Sequence, residues 1–251
     1  MFRFFTNRNR FSFADIGLRC DVHSHILPGV DDGAGDFAES LAILRAMHAS
    51  GVERFVLTPH VSGGLFPNKA TELKLRFDHL VATLPEDLAS QISLKLASEY
   101  MIDEFFDEQT DLLYYRDRDR HILVEMSYEV RSLNLLETVF RLVQDGFTPV
   151  LAHPERYIFY FGGRRGPRNV EELEQLQEMG CKFQLNIQSL SGAYGPDSLA
   201  NLKYFLGRGW YSYLASDIHA ARQMARYTDF QISPAQFEKV RELAANNEFL
   251  F

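Results

Sequence analysis

The chain has 251 residues, 46% of them apolar, which is enough for one full-sized core of the α/β-barrel class. Its formal charge of −8 argues against broad nucleic-acid binding driven by Lys and Arg on phosphates, although carboxylates that hold divalent cations reverse the field locally. Two cysteines, Cys20 and Cys181, give no disulfide framework and fit a reducing cytoplasm, and no apolar run is long enough to span a bilayer.

The opening stretch "MFRFFTNRNRFSF" lacks an apolar signal core and a cleavage site. Residues 1–18 are expected to form a flexible extension, with weak peripheral attachment to an anionic membrane as the alternative use of its basic and aromatic residues. From residue 19 to 251, short β-rich runs alternate with helix-period segments. Strands are expected at "RCDVHSHI", "ERFVLTPH", "SLKLASEY", "HILVEMS", "TPVLAHP", "KFQLNI" and "YSYLASD". After the first strand Asp36 caps a helix, with Glu39 completing a capping box, Phe37, Leu41, Leu44 and Met47 facing inward and a stop at Gly51. A second helix is expected from Ser132 to Gly146 with Leu136, Val139, Phe140 and Val143 inward. Others lie between Asn169 and Gly180, between Pro196 and Gly207, and from Ser233, with Pro234 in the first turn. "YYRDRDRH" reads as a solvated loop, and no Gly-, Ser- or Pro-rich linker divides the chain. Seven strand–helix repeats predict a parallel sheet closed, or nearly closed, into one barrel domain.

The polar residues gather at the strand ends. In "CDVHSHILPGVDDGAGD", His23 and His25 point to the same side because the side-chain period of a strand is two. His60 ends the second strand, Glu99 the third and His153 the fifth; Glu125 lies late in the fourth, and Asp217 and His219 follow the last. The carboxyl ends of barrel strands converge on one face, so these residues are expected to meet in one cleft. Imidazole nitrogen and carboxylate oxygen form the ligand set of Zn, Mn and Fe, and two such ions suit hydrolysis of phosphoesters or amides by activated water. His48, His79 and His121 read as surface or packing residues. Arg156, in "HPER", offers a planar fork for phosphate oxygens, and Arg222 and Arg226 follow "SDIH". A thiol phosphatase loop is excluded, because the sixth residue after Cys20 and after Cys181 is Ile26 and Ile187, not arginine. No G-x-S-x-G elbow or Walker-type loop occurs, and "GVDDGAG" reads as a flexible loop carrying carboxylates.

"DVHSHILPGVDDGA", "TPH", "HPER" and "SDIH", in this order and spacing, resemble the PHP (polymerase and histidinol phosphatase) superfamily, and most of all its bacterial protein-tyrosine phosphatase branch, the CpsB/YwqE/CapC-type enzymes of capsule and exopolysaccharide loci. The resemblance covers residues 19–230. It implies a distorted (β/α)7 TIM-like barrel and a centre of three divalent metals, manganese first, with iron or zinc as alternatives. It also implies a cytoplasmic enzyme that dephosphorylates tyrosine on a cognate bacterial tyrosine kinase. By the same resemblance His23, His25, Glu125 and Asp217 serve one metal, with Glu125 bridging, and His60, His153, His219, Asp32 and Glu99 serve the other two. Asp31 is either a further ligand or a turn residue. Arg156 matches the phosphate-binding arginine. A second catalytic arginine is left open between Arg222, three residues past His219, and Arg226, seven past it. Phe66, Tyr128, Tyr157 and Phe159 are expected to flank a phenyl ring. The alternatives are a small-molecule phosphatase acting on histidinol phosphate, a non-catalytic metal-binding docking module, and a metal-dependent nuclease, which the acidic balance opposes.

Overall fold

The computed structural model describes residues 11–116, 118–163 and 166–251. All seven expected strand positions are present and parallel: β1 (Cys20–Asp21), β2 (Arg54–Leu57) continued by β3 (His60–Val61), β4 (Ser93–Leu96) continued by β5 (Glu99–Met101), β6 (His121–Glu125), β7 (Thr148–Ala152), β8 (Lys182–Asn186) and β9 (Tyr211–Ala215). The second and third positions are each broken in two. The breaks fall at Thr58–Pro59, where proline has no N–H for the ladder, and at Ala97–Ser98. They divide the barrel into a sheet ordered β1-β2-β4 and one ordered β3-β5-β6-β7-β8-β9. His121 opens β6 instead of lying in a loop, and it is buried as a packing residue.

β1 and β9 share no regular ladder among the described residues, yet the barrel edges meet there. Just past both strands Ser24 and Ile218 form a single parallel bridge. Around it the Asp217 N–H donates to the His23 carbonyl and the His25 N–H to the Ile218 carbonyl, both at 2.9 Å. Buried Asp21 accepts from the Ser216 N–H (2.9 Å) and the Ser216 hydroxyl (2.5 Å). Buried Asn247 donates to the Cys20 carbonyl (2.8 Å) and accepts from the Leu214 N–H (3.2 Å). Side chains thus replace the missing ladder and fix the register of the first strand against the last.

The helices begin with α1 (Phe13–Ile16), α2 (Phe37–Ala49), α3 (Ala70–Thr83) and α4 (Glu86–Ala89), and continue with α5 (Leu135–Gln144), α6 (Val170–Glu178), α7 (Pro196–Arg208) and α8 (Pro234–Asn246). Asp36 caps α2 by accepting from the Glu39 N–H (2.9 Å), but the Glu39 carboxylate turns back to the Gly35 N–H instead of closing the expected box. The inward face of α5 is Leu135, Thr138, Val139 and Leu142, one residue from the expected stripe. The helix starts at Leu135, which rotates the neighbouring stripe outward and leaves Phe140 53% exposed. Residues 11–18, assigned from sequence to a flexible extension, fold onto the barrel: Phe13, Ile16 and Leu18 are buried, and Phe11 stacks on Phe237 with centroids 3.9 Å apart. Residues 1–10 of the expected extension lie outside the described residues.

Burial pushes the Asp21 carboxyl up to about 6 against the bonds from Ser216. A carboxyl whose folded pKa stands above its unfolded value holds its proton longer in the native state, so stability falls as pH rises from about 4 through 6. The difference in unfolding free energy between Asp21→Asn and the parent is therefore expected to move in favour of the variant by up to about 3 kcal/mol between pH 4 and pH 7. Urea unfolding of the metal-stripped proteins at the two pH values measures it, and a difference that stays flat would contradict the assignment.

Candidate metal centre

The centre is built from histidines whose outer nitrogens are already engaged. His23 Nδ1 lies 2.8 Å from Gln184 Oε1, His25 Nδ1 2.8 Å from Asp31 Oδ2, and His219 Nδ1 2.9 Å from the Asp217 carbonyl. Each partner is an oxygen acceptor, so the Nδ1 proton is fixed outward and Nε2 faces the cluster. His23 Nε2 and His25 Nε2 then stand 3.1 Å apart. Two lone pairs that close require a positive charge between them, either a proton or a cation. The loop that carries Asp31, read from sequence as flexible, is pinned. Asp31 also accepts from the Gly33 and His60 N–H groups, and a Cβ at Gly33 would sit 2.0 Å from the His25 carbonyl oxygen, so only glycine allows the loop to lie there.

All nine expected ligands fall into three overlapping groups, each with ligand atoms within 4.8 Å of one another: His25, Asp32, His60 and His219; His23, Glu99, His153 and Asp217; and His60, Glu99 and Glu125. Glu99 is the carboxylate common to two of the groups, whereas Glu125, expected to bridge, falls in one. Glu99 Oε2 lies 3.0 Å from His23 Nε2 and 3.2 Å from His60 Nδ1, and its Oε1 lies 3.2 Å from His153 Nε2. Asp217 Oδ1 is 3.3 Å from His25 Nε2, Glu125 Oε1 is 2.9 Å from His60 Nδ1, and Asp32 Oδ1 is 3.3 Å from His219 Nε2. Glu99, Glu125 and Asp217 are buried, whereas Asp32 is 57% exposed at the edge.

Charge explains how such a cluster stays folded. Burial works against ionised Glu99 and Asp217, but the surrounding histidines outweigh it and hold both carboxyls well below their usual range. Burial works against protonated His23 and His60 too, yet neighbouring carboxylates raise both, His60 to about 9. Glu125 is held up by burial and by Glu99, and His153 is brought down to about 4 by burial and then by Arg156, so it stays neutral. Divalent ions would take the place of the histidine protons, and a mixed nitrogen and oxygen donor set suits Mn, Fe or Zn. Two candidate ligands carry backbone strain: His153 (φ 36°) and Asp217 (φ 53°) sit in the left-handed region, at roughly 1–3 kcal/mol each. Hydrogen bonds from their own N–H groups to the Gln184 and His23 carbonyls hold them there.

Arg156 is the cation of the site. It donates to Asp217 Oδ2 (2.5 Å) and lies between two aromatic rings, 4.4 Å from the centroid of Tyr128 and 4.0 Å from that of Tyr194. Asn186 donates to the same Asp217 oxygen (2.7 Å). Buried Glu155 accepts from the Asn186 N–H and from the Ser189 and Tyr211 hydroxyls, which anchors the Pro154–Arg156 turn. A cavity of about 770 Å³ opens over Asp32, His60, Glu125, Arg156 and His219, with Phe66 and Tyr128 in its walls. Phe66 stacks on His60 at 5.3 Å.

Two sequence expectations fail here. Tyr157 is fully buried, its hydroxyl donating to the Ala152 carbonyl and accepting from the Met126 N–H, so it packs beneath the site and offers no face to a substrate. Phe159 stacks on Tyr157 behind the cavity. Arg222 and Arg226 stand exposed on the 3-10 turn Ala221–Arg226, and neither lines the cavity. The sequence reading missed Gln184, Asn186 and Tyr194. The first two carried a signal: polar residues at i and i+2 within the apolar run "KFQLN" share one face of β8. Tyr194 carried none, because a loop brings it to Arg156.

A family model described as capsular polysaccharide synthesis, CpsB/CapC, matches residues 19–241. The chain is 29% identical over 203 residues to the tyrosine-protein phosphatase YwqE of Bacillus subtilis, covering 79% of this chain and 76% of that protein. It is 27% identical over 206 residues to the tyrosine-protein phosphatase CpsB of Streptococcus pneumoniae, covering 79% and 82%. A solved structure from work on YwqE of B. subtilis and CpsB of S. pneumoniae, described as unique metal-dependent tyrosine phosphatases, matches with a TM-score of 0.73 at 27% identity over 92% of this chain and 93% of its own.

Because Glu99 belongs to two of the groups and Asp32 to one, removing them should differ in stoichiometry. Glu99→Gln is expected to lose more than one bound metal per chain, and Asp32→Ala no more than one, by elemental analysis after dialysis against Mn. Equal losses would contradict the shared role of Glu99.

Proposed function

The chain belongs to the CpsB/CapC family of capsular polysaccharide synthesis, and on that premise we propose that it is a metal-dependent protein-tyrosine phosphatase. The observation that carries the reading is the meeting of three overlapping candidate ligand groups with the held guanidinium of Arg156, beneath a cavity walled by Phe66 and Tyr128. His23, His25, Asp32, His60, Glu99, Glu125, His153, Asp217 and His219 would hold the divalent ions, three per chain, with manganese as the first candidate and iron or zinc next. Bound there, divalent ions supply an ionised water near neutral pH and positive charge for the phosphoryl oxygens.

The protein's own groups do the rest. Arg156 presents its fork to the equatorial oxygens, where negative charge is spread in a loose transition state. Its aromatic neighbours and Asp217 set the guanidinium plane before substrate arrives, so little reorganisation is left for the reaction. Neutral His153 keeps a lone pair for a metal across the working pH range. Phe66 and Tyr128 flank the phenyl ring of the substrate. A phenolate leaves with a pKa of about 10, so the site needs no strong general acid. The substrate in the cell is a phosphotyrosine protein, a cognate bacterial tyrosine kinase that regulates capsule or exopolysaccharide synthesis. The enzyme works in the cytoplasm, and no helix among the described residues is long and apolar enough to cross a membrane.

Hydrolysis of a phosphotyrosine peptide, a phosphoserine peptide and histidinol phosphate tests the proposal, with metal-stripped protein and after Mn, Fe or Zn is restored. Metal-dependent release from phosphotyrosine is expected. Arg156→Ala should lower kcat/KM by about 10²–10³-fold and weaken inhibition by inorganic phosphate. Preference for histidinol phosphate would move the function to small-molecule metabolism, and an unchanged rate in Arg156→Ala would remove its role.

A further inference from the structure

We propose that Leu65, Phe105, Val130 and Leu133, which rim the cavity, determine specificity by binding large apolar side chains on both sides of the phosphotyrosine of a partner protein. The inference deepens the phosphatase reading and rests on it. Among the described residues nine large apolar side chains are exposed, and these four line this one cavity, at 77%, 36%, 68% and 97% exposure. Leaving so much apolar surface in water has no structural return, and its concentration at one mouth marks a contact surface.

Both lips are rigidly built. Leu65 stands on the turn after β3, where the Ser62 hydroxyl accepts from the Leu65 and Phe66 N–H groups. Phe105 stands on the turn after β5. The Asp103 carboxylate joins the two turns, accepting from the Gly63 N–H (3.0 Å) and the Phe105 N–H (2.9 Å). The Phe105 ring covers Gly63 so closely that a Cβ there would lie 2.3 Å from it. On the other side, Val130 and Leu133 belong to the segment after β6. The Ser127 hydroxyl accepts from the Val130 N–H, and Arg131 donates to the Glu172 carboxylate from Nε (2.9 and 3.0 Å) and from Nη2 (2.5 Å). Pre-set apolar contacts of this kind lower the ordering cost of binding.

Position identifies the occupant. β3 and β6 also carry His60 and Glu125 to the cavity floor. A segment whose phosphotyrosyl group reaches that floor must lay its neighbouring residues across the two lips. The floor can read only a phosphate and an aromatic ring, so discrimination among proteins falls to the rim.

The test compares three substrates on the metal-loaded enzyme: a phosphotyrosine peptide with Leu and Phe flanks, the same peptide with Gly and Ser flanks, and free phosphotyrosine. The parent should favour the apolar-flanked peptide in kcat/KM by about 10-fold or more, through KM. Leu65→Ser with Leu133→Ser should erase that preference and leave turnover of free phosphotyrosine unchanged. Equal rates on the two peptides in the parent would overturn the proposal, as would an equal loss on all three substrates in the variant. Sedimentation of both proteins adds a further outcome: a dimer lost in the variant with the peptide preference intact would assign the rim to a second copy of this chain. Anisotropy with non-hydrolysable phosphonate versions of both peptides reads the rim without turnover. A parent that hydrolyses no phosphotyrosine but still prefers the apolar-flanked phosphonate would refute the phosphatase reading and keep the rim.

Discussion

The first and last strands of this barrel meet at a single backbone bridge with no regular ladder among the described residues, and one buried carboxylate and one buried amide complete the register. Asp21 grips Ser216, and Asn247 ties Cys20 to Leu214. Two residues beyond Asp21 lies His23, and one beyond Ser216 lies Asp217, so the same contacts that close the barrel bring two candidate ligands together. A slip of one residue along this seam would turn His23 and His25 away from the cluster, because the side-chain period of a strand is two. β1 is only two residues long and cannot hold that register by itself. Burying an acid to hold it is costly, and the raised pKa of Asp21 shows the cost.

The centre has the same logic at larger scale. Glu99, Glu125 and Asp217 are out of water; neighbouring positive charge makes that tolerable for Glu99 and Asp217, whereas burial and Glu99 push the Glu125 carboxyl up toward its protonated form. Protons on histidines supply that positive charge before an ion binds, and Arg156 adds a fixed charge at one edge. Divalent ions would displace those protons and bring more positive charge than they remove, into a site whose donors already converge. The strained backbone at His153 and Asp217 and the close approach at Gly33 fit this picture, since each trades local stability for a fixed ligand direction.

Much of this was legible in the sequence because ligand chemistry and strand periodicity point the same way. Eight candidate ligands were named from strand ends and Asp32 from the family resemblance, and the nine lie in three overlapping groups. What stayed hidden depends on tertiary packing. The aromatic in Tyr157 looks like a wall from its place beside Arg156, but its hydroxyl finds two backbone partners and draws it under the floor. Arg222 and Arg226 follow a ligand motif, yet the 3-10 turn spends its inward position on Gln223, which accepts from the His219 N–H. Composition suggested a loose leader, but Phe11 and Phe13 found apolar partners in Phe237 and Tyr227. The resemblance implied Glu125 as the bridging ligand, and the geometry adds Glu99, at the start of β5, as the carboxylate that two of the groups share.

Floor and rim answer to different constraints. A change at the floor leaves a buried charge without its partner: Glu99 and Asp217 each touch more than one histidine, and Glu125 shares His60 with Glu99, so a substitution at one is felt at the others. Rim side chains are exposed, and their loops are held by Ser62, Asp103, Ser127 and the Arg131–Glu172 pair, none of which depends on the identity of Leu65 or Leu133. Substituting the rim therefore alters what is recognised without disturbing the seam, the register or the ligands. In a barrel whose chemistry is locked by buried electrostatics, a change of partner has to be written in these loops.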